Sequence, residues 1–119
     1  MNEAIERDLP RAYLRVVLLV LLADGPTHGY ELLEQVRRAG IRLADPGGLY
    51  RTLRAMEQRR YLDSWWEDSS TGPPRRTYVL TPRGRAALLA EVQATRATVE
   101  LLGEVVERAE RALGSEARS

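Results

Sequence analysis

The sequence predicts a mainly α-helical chain with one small β-hairpin and a single long C-terminal helix. Three observations predict it. Three apolar-periodic segments, each bounded by proline or glycine, occupy the first half. A pair of aromatic and β-branched segments flanks a polar stretch at 67–74. After Pro82, more than 30 residues run without another proline.

The first element spans Leu9 to Ala23. Leu14, Val17, Leu18 and Leu21 follow the i, i+3, i+4, i+7 spacing of a helix face, and Pro10 suits its start. "ADGPT" at 23–27 is a turn, and Thr27 is the expected N-cap of a second helix, "HGYELLEQVRR", with Leu32, Leu33 and Val36 inward and Gly40 as its stop. "IRL" at 41–43 alternates and reads as a very short strand. The third helix is "DPGGLYRTLRAMEQRR". Asp45 is placed to cap it and Pro46 fits its first position. Leu49, Leu53 and Met56 form its buried stripe, while Arg51, Arg54 and Gln58 share a solvent-facing one. Gly47 and Gly48 each cost about 1 kcal/mol relative to alanine inside a helix. Either they let the backbone approach a phosphate at the helix N-terminus, or they permit a tight turn into the helix.

"YLDSWW", "EDSSTGPP" and "RRTYVLT" read as a hairpin with a long polar loop, with Arg75 and Arg76 where the chain leaves that loop. Trp65 and Trp66, adjacent in a strand, point to opposite faces, one beneath the hairpin and one outward, which makes them the positions for a ligand contact. Tyr30 is expected in the core or an interface. His28, the only histidine, is expected to pack or hydrogen-bond locally. Thr81 and Pro82 open the last helix, which is expected to reach Leu113; 114–119 is expected to be a disordered tail. About 32 helical residues span about 48 Å, more than a small domain covers. Leu88, Val92, Thr95, Val99, Leu102, Val106, Ala109 and Leu113 are separated alternately by four and three residues, a heptad seam that calls for a partner helix.

The chain has 119 residues with 18 basic against 17 acidic. All 18 basic residues are arginine, a bias that a GC-rich genome produces and that also favours bidentate contacts to phosphate and guanine. Charge is uneven: residues 46–85 hold eight arginines and four acids, and the flanking segments are both net negative. The absence of cysteine excludes disulfides and thiolate chemistry, and a lone histidine argues against zinc. The longest apolar run, Val16 to Ala23, is too short for a membrane span, and the acidic N-terminus does not resemble a signal peptide. No phosphate loop, Ser/His/Asp set or acid pair points to an enzyme, so no catalytic residue, metal or cofactor is expected. The expected location is the cytoplasm.

Helix, helix, short strand, helix and hairpin is the order of a winged helix-turn-helix. The domain is expected at 9–81, followed by a coiled-coil-like helix at 82–113. The two arginine clusters fall on the third helix and the wing, the parts that meet DNA in that fold. Arg51 and Arg54 are placed for base edges or phosphates, Arg75 and Arg76 for phosphate or the minor groove. The expected partner is double-stranded DNA. A second class of function, a winged helix that docks proteins without reading DNA, would not need arginines at both places.

"HGYEL" (28–32), "GGLYRTLRAME" (47–57) and "RRTYVLTPRGRAAL" (75–88), in this order, resemble the PadR family of bacterial transcriptional regulators. The resemblance covers about 14 to 90, and the single C-terminal helix is similar to the smaller subfamily. It implies a homodimeric repressor, often of efflux, detoxification or metabolic genes, released in many members by a small ligand. It also implies that Tyr50 lies on the DNA-facing helix. Dimer contacts are expected from Leu14 of the first helix and from Leu88, Val92, Val99, Leu102, Val106 and Leu113. Two-fold symmetry then implies a pseudo-palindromic operator. The DNA-facing set is Gly47, Gly48, Tyr50, Arg51, Arg54, Gln58, Arg75 and Arg76. Three positions depart from the family: Arg60 replaces the glycine that usually ends the third helix, Gly48 replaces a serine or threonine, and Thr77–Tyr78 replaces a tyrosine pair.

Overall fold

A computed structural model describes residues 10–41 and 46–118. The expected Asp45 cap, residues Arg42 and Leu43 of the short strand, and Leu9 lie outside the described residues. A 3-10 turn, Arg11–Tyr13, leads into α1, Leu14–Ala23. Then follow β1 (Thr27–His28), α2 (Gly29–Arg38), α3 (Pro46–Gln58), β2 (Leu62–Ser69), β3 (Gly72–Leu80) and α4 (Pro82–Arg118). The fold is mostly helical with a three-stranded antiparallel sheet in the order β1-β3-β2.

The buried stripes explain why these segments are helices. Leu14, Leu18, Leu19 and Leu22 of α1, Leu32, Leu33 and Val36 of α2, and Leu49, Leu53 and Met56 of α3 meet in one core with Ile41, Leu62, Tyr78 and Leu80. Full burial of each such side chain contributes about 1.5–3 kcal/mol. In α1 the buried face is rotated from the expected one. Leu19 and Leu22 are inside, while Val17 and Leu21 are only partly buried. Leu14, expected to reach a partner chain, is only 2% exposed and belongs to this core, so its apolar surface is already used within the chain.

Helix ends follow from backbone chemistry. Gly40, at φ +95°, closes α2: its N–H reaches the Arg37 carbonyl, and Ile41 N–H reaches that of Val36. Thr27 is not the cap of α2. It pairs with Tyr78 in the sheet while His28 occupies the cap position, and the Thr27 hydroxyl donates to the Gly25 carbonyl. That pairing joins residues about 50 positions apart, and local capping preference cannot reveal it. At the end of α3 the same closure as at Gly40 recurs without glycine. Arg60 adopts φ +64°, with its N–H bonded to the Glu57 carbonyl and that of Tyr61 to Met56. A side chain in this conformation costs about 1–2 kcal/mol. Arg60→Gly is therefore expected to stabilise the chain, by about 0.5–1 kcal/mol once the greater freedom of unfolded glycine is offset. Urea denaturation checks this: the midpoint should rise with an unchanged slope.

The hairpin differs most from expectation. Glu67, Asp68 and Ser69 lie in β2, and Gly72, Pro73 and Pro74 lie in β3, so only Ser70 and Thr71 form the connection. Turn-rich composition concealed the strands, but cross-strand pairing from Leu62↔Leu80 to Ser69↔Gly72 overrides it, with an irregularity between Glu67 and Ser69. The prolines are tolerated because β1 pairs only with Thr77 and Tyr78, leaving the far end of β3 unpaired on that side.

Thr81 caps α4 as expected: its hydroxyl oxygen accepts the Gly84 N–H at 3.0 Å and the hydroxyl donates to the Arg60 carbonyl. The chain divides into two units, the first ending at Leu88 and the second starting at Leu89. The division falls after the start of α4, because Ala87 and Leu88 pack on the core of the first unit. Leu88 is thus partly used within the chain. In the second unit α4 continues past Leu113 to Arg118, since Gly114 alone does not end a helix whose following residues tolerate it. Val92, Val99, Leu102, Val106 and Leu113 are all exposed, and so are Leu89, Leu101 and Val105. The apolar face is wider than the heptad seam.

Candidate nucleic-acid interface

The outward face of α3 carries Tyr50, Arg51, Arg54 and Gln58, all exposed. The opposite face of the same helix is anchored in the core through Leu49, Leu53 and Met56. Tyr50 is held from below by the "HGYEL" segment. A Cβ on Gly29 would lie 3.0 Å from the Tyr50 ring, so glycine there admits the tyrosine close to the start of α2. Gly48 is buried and Gly47 half-buried, and the Gly48 carbonyl accepts the Thr52 hydroxyl at 2.9 Å. Burial of Gly48 favours packing, rather than an open phosphate cradle, as the reason for that glycine.

Between α3 and the wing lies an open cleft of about 650 Å³, lined by Tyr50, Arg54, Glu57, Gln58, Trp66, Arg76 and Tyr78. Strand alternation places Ser64, Trp66, Arg76 and Tyr78 on the wing face toward α3, in the pairs Ser64↔Tyr78 and Trp66↔Arg76. Glu57 meets this face. Its Oε2 accepts the Ser64 hydroxyl at 2.8 Å and stands 3.5 Å from the Arg76 guanidinium. That guanidinium lies over the Trp66 ring, 5.3 Å from its centroid. Its charge also acts on the Tyr78 phenol. Burial raises the Tyr78 pKa, with the Arg76 charge pulling the other way, so the phenol stays protonated at neutral pH.

The other wing face holds a polar chain. Thr77, buried, donates to Glu67 Oε2 at 2.9 Å, and its oxygen lies 3.0 Å from His28 Nδ1. His28 thus joins β1 to the wing across the sheet rather than packing within its own helix. Its Nε2 stands 3.8 Å from Glu67.

The expected site residues are distributed unequally. Arg54, Gln58, Tyr50, Trp66 and Arg76 come together around the cleft. Arg51 is exposed on α3 and Arg75 on β3, neither lining it. The paired arginines are not equivalent: Arg75 is exposed, whereas Arg76 is engaged within the chain. Neither tryptophan is beneath the wing: Trp65 is 41% and Trp66 64% exposed, because the strand positions that reach the core are Leu62, Tyr78 and Leu80. Tyr30 is 69% exposed and so not a core residue. Glu57 and Tyr78 were not anticipated. The one signal for Glu57 was its position three residues after Arg54 on the exposed side of α3. Among the described residues no group of three or more His, Cys, Asp or Glu side chains is placed to hold a metal. Among them, too, no helix is long and apolar enough to cross a membrane.

Comparison with known proteins adds to this geometry. The model of the "Transcriptional regulator PadR-like family" matches residues 17–90. The chain is 39% identical over 100 residues to the transcriptional regulator Rv3488 of Mycobacterium tuberculosis, covering 84% of this chain and 89% of that one. A crystal structure of a PadR family transcription regulator from Clostridium difficile R20291 superposes with a TM-score of 0.71 at 25% identity, covering 79% of this chain and 98% of that one. A PadR family transcriptional regulator from Eggerthella lenta DSM 2243 gives 0.71 at 26% identity, covering 82% and 84%.

Proposed function

The chain belongs to the PadR-like family of transcriptional regulators, and from that premise we propose that it is a homodimeric, sequence-specific DNA-binding repressor. The observation that carries this reading is the exposed row of Tyr50, Arg51, Arg54 and Gln58 on α3, backed by a wing that presents Arg75. A helix of this kind enters the major groove, where guanidinium groups read guanine edges or grip phosphate. The wing supplies sequence-independent grip.

The exposed apolar residues of α4 support pairing with the same helix of a second copy. A two-fold dimer reads a pseudo-palindromic operator whose half-sites lie about 10 bp apart, centre to centre. Repression follows from occupying a promoter. A small effector that reaches the cleft beside Trp66 would compete with DNA for the same face. With DNA as its partner, the chain would act in the cytoplasm.

Arg54→Ala, and separately Arg51→Ala, should weaken operator binding by about 1–3 kcal/mol and relax base choice at the contacted position. Anisotropy titrations against the operator and single-base variants of it read this out. Wild-type affinity in both proteins would remove α3 from the major groove.

A further inference from the structure

Two arginines adjoin on the wing, and the structure treats them differently. Arg75 is exposed, while the Arg76 guanidinium faces Glu57 at 3.5 Å and lies over Trp66. The same Glu57 oxygen that faces Arg76 also accepts the Ser64 hydroxyl. Ser64 is on β2 and Arg76 on β3, so one carboxylate oxygen of α3 contacts both strands of the wing. We propose that Glu57 and Arg76 are positioning residues: they clamp the wing to α3 and leave phosphate contact on the wing to Arg75.

Electrostatics supports this division. A bare carboxylate in a cleft facing DNA repels phosphate. Paired with Arg76, Glu57 presents a neutral unit, and the cation spent on it adds nothing to counterion release. The clamp also fixes the distance between Arg54 on the helix and Arg75 on the wing. A wing held this way meets the backbone at one place relative to the bases that α3 reads. The residues are not interchangeable, because a single carboxylate oxygen accepts from a hydroxyl and faces a guanidinium charge together.

The inference rests on the DNA-binding reading, and two measurements keep the two separable. In the free protein, nuclear magnetic resonance reads the Arg76 side-chain protons, which the Trp66 ring shifts upfield. Glu57→Gln is expected to return them toward ordinary arginine values while the backbone spectrum stays folded. Protons that keep their shift would overturn the clamp, whatever the protein binds. With a random-sequence 25-base-pair duplex, the salt dependence of binding separates the arginines. Arg75→Gln is expected to lower the slope by about 0.9. Arg76→Gln, which bares Glu57, is expected to weaken binding about tenfold or more. The double variant Glu57→Gln/Arg76→Gln is expected to regain most of that affinity and to keep the wild-type slope. A double variant that loses about 0.9 of slope, as Arg75→Gln does, would place Arg76 on phosphate and overturn the proposal. No duplex binding by the wild-type protein at low salt would instead remove the DNA-binding reading, with the spectroscopic result still deciding the clamp.

Discussion

Gly84→Ala is expected to lower the melting temperature by about 12–24 °C, against the sign that helix propensity alone would give. Glycine in a helix costs about 1 kcal/mol relative to alanine, so the sequence by itself marks Gly84 as a weak point to be improved. The structure reverses this. Gly84 is buried in the first turn of α4, where a Cβ would collide with the backbone carbonyl of Tyr61 and fall 2.7 Å from Leu80 Cδ1. A carbonyl cannot swing aside as the end of a long side chain can. Tyr61 O is moreover already fixed, since it accepts the Thr81 N–H at 3.0 Å. The added methyl must push α4 away from the hairpin, straining the Thr81 cap and the contacts of Ala87 and Leu88 with the core. Overpacking of this kind costs about 3 kcal/mol, and a domain of this size loses about 4–8 °C per kcal/mol. Thermal melts followed by circular dichroism decide it. A melting temperature at or above that of the wild type would mean that α4 does not approach Tyr61 so closely.

The second large effect concerns assembly. In the proposed dimer, Val99→Asp should raise the dissociation constant by about 10²–10⁴-fold. Val99 is 61% exposed in the single chain, and its neighbours along the seam, Leu102 and Val106, are more than half exposed. Most helical stability in proteins comes from packing an apolar face, which this part of the helix lacks in the single chain. In a symmetric dimer the substitution acts twice. Each copy loses about 1.5–3 kcal/mol of apolar burial, before the cost of a desolvated carboxylate is counted. Sedimentation velocity at micromolar concentration should show monomers, with reduced helicity from α4. Specific DNA binding should fall with it, because one half-site replaces two. Leu102→Asp should behave alike. A dimer that survives both changes would show that the heptad residues are not the contact.

How much of this was legible beforehand depended on the range of the interaction. Local signals were read well. The stripe of Leu49, Leu53 and Met56, the stop at Gly40 and the Thr81–Pro82 start each depend on residues within one or two turns. Interactions across the sequence were not. Thr27 carries every local mark of a helix cap, yet the distant strand β3 claims it. Residues 67–74 have loop composition, yet the two strands take in all of them but Ser70 and Thr71. Leu14 had a helix-face spacing that could serve either a core or a partner, and spacing alone does not choose.

The candidate site divides in the same way. Arg51, Arg54 and Gln58 were legible because helical periodicity alone places them on one face. The difference between Arg75 and Arg76 was not, because it depends on strand register and on Glu57, which lies on another element. Arg60 illustrates a third case. Its departure from the family glycine was visible, but the conformation it adopts is imposed by the closure of α3, with an arginine carrying the strain.

The central claim, that this chain reads DNA sequence as a dimer, is tested most directly by fluorescence anisotropy. The probe is DNA from upstream of the gene that encodes the protein, titrated at two salt concentrations with scrambled duplex as competitor. Tight binding that survives the competitor and weakens with salt is the expected result. Absence of binding even at low salt would contradict the claim and leave the arginine-bearing faces of α3 and the wing to a protein partner.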